Sequence, residues 1–202
     1  MTQPIIRLAK EPDIDDLLAI FTPYVTDTAI TFQYDIPSRQ AFLEKYQTIS
    51  QDFPFIVAEE AGEVVGYAYA TPFRKEAAYA WSAEPSIYLK QDRRGNGLGK
   101  RLYQILEELL KKQHIVQIVA CIAYAEGDNP YLTNSSPRFH EKLGYETIAH
   151  FPKCGYKFQS WYDCIWMRKL LVEEIPVVPQ EIIPFSKLNH DLDKLLENSG
   201  VL

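Results

Sequence analysis

The chain has 202 residues, 47% hydrophobic and 24% charged, which suits one globular domain or one domain plus a tail. A net charge of −6 argues against broad nucleic-acid binding, which needs a basic face, and no apolar run approaches the ~18 residues of a membrane span. Three widely spaced cysteines without a CxxC pair suggest neither a disulfide framework nor a metal site. With no secretory h-region at the N-terminus, the expected setting is reducing and cytoplasmic.

In chain order, residues 5–8 form a short apolar run, expected as a first strand. Pro12, Asp13, Asp15 and Asp16 open a helix, because early acids suit a helix N-terminus. Ile14, Leu17, Leu18 and Phe21 then recur at helical spacing. A second helix starts at Pro37 or Ser38 and carries Phe42 and Tyr46. Residues 55–59 and 64–70 flank a Gly62-containing turn and read as a hairpin. Residues 79–89 are a longer strand interrupted by Pro85, which must sit at an edge or a bulge.

A periodic helix follows over 98–112, with Leu98, Leu102, Ile105, Leu106 and Leu109 on one face. Residues 116–122 are almost continuously apolar, as in a strand buried on both faces. A polar loop leads to a short helix over 137–143, with Gly144 as its C-cap. Two strands are expected over 147–151 and 161–171. Residues 172–202 change character: three prolines space an apolar stretch, and 186–198 can form one amphipathic helix. The reading is a domain over 1–171 and a packed extension over 172–202. The order β-α-α-β-β-β-α-β-α-β-β is a layered α/β arrangement.

The most informative segment is Arg94-Gly95-Asn96-Gly97-Leu98-Gly99-Lys100, between a strand and a helix. Glycines let backbone approach a phosphate, and a helix N-terminus offers free N–H groups. Arg93, Arg94, Lys100 and Arg101 add positive charge on an otherwise acidic chain. The segment lacks the Gly-Lys-Ser/Thr ending of a Walker loop and the glycine spacing of a dinucleotide fold.

Arg94-x-x-Gly97-x-Gly99 resembles the pyrophosphate loop of the GNAT acetyltransferases. The resemblance extends to the phosphinothricin acetyltransferase subgroup through residues 78–89, 139–145, Gly155-Tyr156-Lys157-Phe158 and Trp161-Tyr162-Asp163. It spans about residues 5–171 and implies the GNAT fold, a mixed, mostly antiparallel twisted sheet flanked by helices. It implies acetyl-CoA as co-substrate, no metal, and transfer of acetyl to a small amine. The backbone of Ile87, Tyr88 and Leu89 would pair with the pantetheine arm, and Arg94, Gly95, Asn96, Gly97, Leu98, Gly99 and Lys100 would hold the pyrophosphate. Glu84 occupies the place of the general base. Shielding by aromatics such as Trp81 and Tyr88 would raise its pKa towards neutrality.

Two departures from the family pattern are visible. Asn134 is displaced by one position from the usual asparagine, although it could still reach the pantetheine. His140 stands where many members carry a tyrosine that protonates the thiolate; it could donate a proton, orient the sulfur, or make a structural hydrogen bond. On the substrate side, Arg74 is the basic residue expected near a substrate carboxylate, which an arginine holds bidentately. Phe32, Tyr24 and Tyr79 are candidates for pocket walls. The implied substrate is a small amino acid or an analogue of phosphinothricin or methionine sulfoximine type, and the implied assembly is a homodimer. Another amine acceptor, or a non-catalytic acyl-CoA-binding module, stays open at this level.

Overall fold

Local apolar spacing and its breakers build the elements. In the computed structural model, which describes residues 4–188, β1 (Ile5–Leu8) leads through a turn of 3-10 helix into α1 (Ile14–Thr26). Ile14, Leu17, Phe21 and Val25 keep helical spacing and are all buried. α2 (Arg39–Asp52) begins where Ser38 Oγ accepts the Ala41 N–H at 3.1 Å, a cap that satisfies one orphan donor. β2 (Phe55–Glu60) and β3 (Glu63–Pro72) form the expected hairpin. Its two turn residues, Ala61 and Gly62, both have positive φ, the geometry that matches strand twist.

β4 (Ser82–Leu89) starts three residues later than expected, because residues 77–79 close a 3-10 turn first. α3 (Leu98–Lys112) has the bounds read from its periodicity. β5 (Gln117–Tyr124), α4 (Ser135–Lys142), β6 (Glu146–Lys157) and β7 (Ser160–Leu170) complete the order. α4 begins two residues early, since Pro137 is tolerated in a first turn that needs no intrahelical N–H. β6 runs six residues past its expected end, carried through two register shifts.

The strands make one sheet in the order β1-β2-β3-β4-β5-β7-β6, antiparallel everywhere except between β4 and β5. Adjacent strand residues face opposite sides. Tyr88 packs on Phe21 and Tyr24 of α1, while Ile87 reaches Gly99 of α3. The sheet is therefore sandwiched between α1 and α2 on one face and α3 on the other. This is the layered α/β class that the element order implied.

The described part of the extension is tied to the domain. The Trp81 indole donates to Gln180 O at 2.7 Å, and His114 Nδ1–H donates to Glu181 O at 2.7 Å. Gln113 Nε2 bridges Asp52 O and Ile183 O, and Phe185 is buried. Most of the helix expected over 186–198 lies outside the described residues; the described portion holds a 3-10 turn, Phe185–Lys187.

One buried cation fixes the loop after α1. Lys157 Nζ donates to the carbonyls of Val25, Thr28 and Thr31 at 2.8–2.9 Å. The ammonium's three protons meet three acceptors that the loop cannot satisfy internally. The same loop continues to Phe32, whose ring lies so close to Gly155 that a Cβ there would stand 2.3 Å from it. Lys157→Met is expected to cost roughly 2–4 kcal/mol by stranding those carbonyls. Denaturant unfolding of the variant beside the wild type measures this, and an unchanged midpoint would contradict the clamp.

Candidate functional site

The site begins where one ladder stops. β4 and β5 pair only through Ser82↔Gln117 and Ala83↔Ile118. Lys90 N–H donates to Val65 O, and Phe73 N–H donates to Ser82 O, so even-numbered β4 residues bond to β3. Odd-numbered ones face β5. The next residue on that edge is Pro85, which has no N–H to continue the ladder. Beyond it the strands diverge around a cleft lined by Ser86, Ile87, Tyr103, Cys121, Ser136 and His140 among others. Pro85 thus sits at a local edge, as its chemistry requires. The same divergence exposes Cys121 on a strand expected to be buried on both faces.

Of the β4 groups expected to pair with a ligand, Ile87 turns its backbone towards the cleft. Those of Leu89 are taken up by one hydroxyl: its N–H donates to Tyr24 Oη at 2.9 Å, and Tyr24 Oη donates to its carbonyl at 2.7 Å. Tyr88 is turned into the aromatic core beside Phe21, Tyr24 and Tyr67.

At the end of β4 the chain makes the glycine-rich turn. Gly95 and Gly97 have φ of +80° and +87°, which side chains rarely adopt. Asn96 Oδ1 accepts the Leu98 N–H at 3.1 Å and squares off the start of α3. The first-turn amides of α3, including Gly99 and Lys100, have no intrahelical carbonyl to bond. Gly99 packs against Ile87 and Phe139. The four basic residues around this turn divide. Arg93 is paired with Glu60 and Asp92, and Arg101 donates to Pro4 O. Among the described residues, Arg94 and Lys100 form no ion pair; the Arg94 guanidinium lies over the Tyr24 ring at 4.9 Å. Positive charge at a helix N-terminus, with amides presented by the glycines, is an anion cradle.

Towards the other end of β4, Glu84 is half-buried and paired in register with Thr71. Burial raises its pKa above the usual carboxylate value, and the positive charge of Arg74 offsets part of that rise. Trp81, expected to shield Glu84, donates its indole N–H to Gln180 O of the extension. Arg74 is exposed but placed: its guanidinium lies over the rings of Phe73 at 4.4 Å and Trp166 at 4.9 Å, and Nη1 donates to Phe73 O. Tyr79 packs edge-on to Phe73, and Phe32 lies near Tyr162 across the sheet. Trp166 carried no signal in the sequence, because it lies 92 positions from Arg74 and meets it only through β7.

His140 is buried against Tyr103. Its Nδ1 lies 2.8 Å from Ser136 O, a carbonyl that can only accept, so Nδ1 carries the proton. Nε2, 2.9 Å from Tyr103 Oη, then accepts from that hydroxyl. Burial pulls its pKa down to about 4. A neutral ring with both nitrogens engaged holds no spare proton, which favours the structural and orienting readings over proton donation. Asn134 is likewise occupied: Nδ2 donates to Ala125 O at 2.8 Å and Oδ1 accepts from Ala125 N–H at 3.3 Å. Its amide pins the end of β5 to the start of α4. Among the described residues no His, Cys, Asp and Glu cluster is arranged to hold a metal ion.

Residues 6–166 match the family model described as an acetyltransferase (GNAT) domain. An L-methionine sulfoximine/L-methionine sulfone acetyltransferase of Pseudomonas aeruginosa is 34% identical over 167 residues, covering 81% of this chain and 92% of that protein. A phosphinothricin N-acetyltransferase of Streptomyces viridochromogenes is 28% identical over 184 residues, covering 91% and 95%. The crystal structure of a GNAT superfamily phosphinothricin acetyltransferase from Sinorhizobium meliloti, in complex with AcCoA, superposes with a TM-score of 0.81. It is 31% identical, over 92% of this chain and 98% of that one.

The buried His140 carries a testable linkage. Its folded pKa of about 4 lies below the ordinary 6.5, so between these values the unfolded chain binds a proton that the folded one refuses. Stability present above pH 6.5 is lost as the pH falls towards 4, by about 3 kcal/mol in total from this group. Unfolding midpoints at pH 7 and pH 4.5 are expected to converge in His140→Gln relative to wild type; an identical acid slope in both would contradict a buried neutral ring.

Proposed function

This chain belongs to the GNAT acetyltransferase family, and we propose that it moves an acetyl group from acetyl-CoA to the amino group of a small, carboxylate-bearing amino acid or analogue. The observation that carries the proposal is the alignment of three features along one diverging strand. The anion cradle of the glycine-rich turn lies at one end of β4, the open edge of Ile87 in the middle, and Glu84 with Arg74 near the other end. Acetyl-CoA has the same order of parts: a pyrophosphate, an amide-bearing arm and a thioester. In this reading the amides of Gly95 to Lys100 and the Arg94 side chain hold the pyrophosphate, and Ile87 pairs with the arm. The names of the relatives support the acceptor class.

Glu84 acts as the base. A protonated amine has no lone pair, so one proton passes from the substrate ammonium to the Glu84 carboxylate, and the freed amine attacks the thioester carbonyl. The tetrahedral adduct collapses with breakage of the C–S bond. The second nitrogen proton neutralises the departing thiolate, which leaves the amide and free thiol without any further protein acid. That balance suits a His140 with no proton to give; His140 and Tyr103 hold the cleft wall as positioning residues, and Asn134 anchors the loop rather than the ligand. Arg74, held flat by Phe73 and Trp166, presents its remaining donors to the substrate carboxylate. Phe32 and Tyr79 complete the walls.

A homodimer is part of the proposal. The edge strand β6 exposes Ile148, Phe151 and Tyr156, and the start of β7 exposes Trp161; an apolar open edge invites a partner. The free thiols agree with a cytoplasmic setting.

Glu84→Gln is expected to lower kcat by about 100-fold or more while acetyl-CoA still binds. In the wild type, kcat/KM rises with pH through a carboxylate pKa held above 4.5 by burial. Thiol release from acetyl-CoA across a panel of amino acids, polyamines and aminoglycosides measures both; undiminished turnover in the variant would remove Glu84 from the mechanism. Arg74→Ala is expected to raise KM roughly tenfold or more for carboxylate-bearing amines alone. Equal losses for amines lacking a carboxylate would sink the amino-acid reading.

A further inference from the structure

The three cysteines, far apart in sequence, converge beside the base. Cys164 on β7 pairs in register with Ala123 of β5 and Phe151 of β6. Cys121 lies two residues from Ala123, so it shares a face with Cys164, one diagonal step away. Cys154 falls inside the β6 bulge between Phe151 and Gly155. Cys164 shares hydrogen bonds with both of the other thiols. Only Cys121 lines the β4–β5 cleft, and it is exposed there. It also lies within electrostatic reach of Glu84 and Arg74.

Its level along the cleft follows from the ladder. The parallel register Ala83↔Ile118, carried three residues further on each strand, sets Cys121 level with Ser86. That is one residue short of Ile87 on the side of Glu84. Given the acetyl-CoA reading, on which this inference rests, the arm pairs with Ile87 and the thioester lies towards Glu84. The cofactor sulfur then passes at the level of Ser86, across from Cys121.

We propose that Cys121 is a covalent capture site for the disulfide form of coenzyme A. The Cys121 thiolate attacks one sulfur of the cofactor disulfide. The S–S bond of the disulfide breaks, a Cys121–S–S–CoA bond forms, and the other half leaves as a thiolate that takes up the proton Cys121 lost. No oxidant beyond the disulfide itself is needed, and a thiol reductant reverses the step. The adduct fills the cleft and stops turnover. Supporting the geometry, the hydrogen bond from Cys164 holds the Cys121 thiol below its ordinary pKa, which enlarges the thiolate fraction. The Cys164 thiol itself is pushed up by its hydrogen bonding with Cys121, by burial and by Cys154, so it is the poorer nucleophile.

The test incubates the full chain with coenzyme A disulfide and, separately, with 2-hydroxyethyl disulfide, which lacks the nucleotide. Intact mass and peptide mapping locate the adduct, and acetyl-CoA turnover is followed before and after reductant. The expected result is a single adduct on Cys121, formed about 100-fold faster with the coenzyme A disulfide because the cradle delivers it locally. Activity falls in step with modification and returns on reduction. In Cys121→Ser no adduct forms, and preincubation leaves that variant's own rate unchanged. An adduct on exposed Cys154 instead, or equal rates with the two disulfides, overturns the inference. A wild type that turns over acetyl-CoA yet stays unmodified sinks this inference alone. A wild type that neither binds nor turns over acetyl-CoA sinks the functional reading beneath it.

Discussion

The parallel ladder between β4 and β5 lasts two residues, and the rest of the molecule is arranged around that short contact. β4 keeps its place because its other edge pairs continuously with β3 from Gly66↔Leu89 to Pro72↔Ala83. Gly66 permits that closeness, since a Cβ there would meet Leu89 Cδ2 at 2.4 Å. On the open edge, each backbone group has a separate fate. Pro85 has no donor to strand, Ile87 faces the cleft, and Leu89 is satisfied by the Tyr24 hydroxyl acting as donor and acceptor at once. A strand can leave its neighbour only where unpaired polar groups find another partner, and this sequence supplies a different solution at each step.

Electrostatics then divides the cleft. The chain is acidic overall, yet the end of β4 nearest α3 presents glycine amides, a helix N-terminus, and Arg94 and Lys100, which form no ion pair among the described residues. The neighbouring Arg93 and Arg101 are spent on structure, so the number of basic residues near the turn overstates the charge available to a ligand. At the other end, burial raises the pKa of Glu84 and the charge of Arg74 offsets part of that rise. His140 and Tyr103 form a neutral wall between them, because the Ser136 carbonyl fixes the tautomer of the ring. The proposed chemistry follows the same direction, from anion binding to proton acceptance along one strand.

The walls depend on contacts between distant parts of the chain. Lys157 from β6 gathers three carbonyls of the loop after α1, and Gly155 gives Phe32 its seat. Trp166 from β7 supports Arg74 from the loop after β3. The extension beyond β7 takes the Trp81 indole and ties Gln113 and His114 at the end of α3. It therefore braces the closed end of the β4–β5 pair, opposite to the end that opens.

The sequence by itself determined the order of eleven strands and helices, the bounds of β1 and α3, the hairpin turn at Ala61 and Gly62, and the glycine-rich turn between β4 and α3. These features are local: a period of 3.6 or 2, a cap or a positive φ is complete within a few neighbouring residues. The family resemblance pointed to Glu84 and Arg74. Tertiary structure alone decided that the strands part after Pro85, that Tyr24 closes Leu89, and that Trp81 turns to the extension. It also decided that Asn134 is spent on Ala125, that His140 is a neutral acceptor, and that three scattered cysteines meet near Glu84. Each of these depends on the register between strands remote in sequence, and a side chain's neighbours across a sheet are set by pairing that no local pattern encodes.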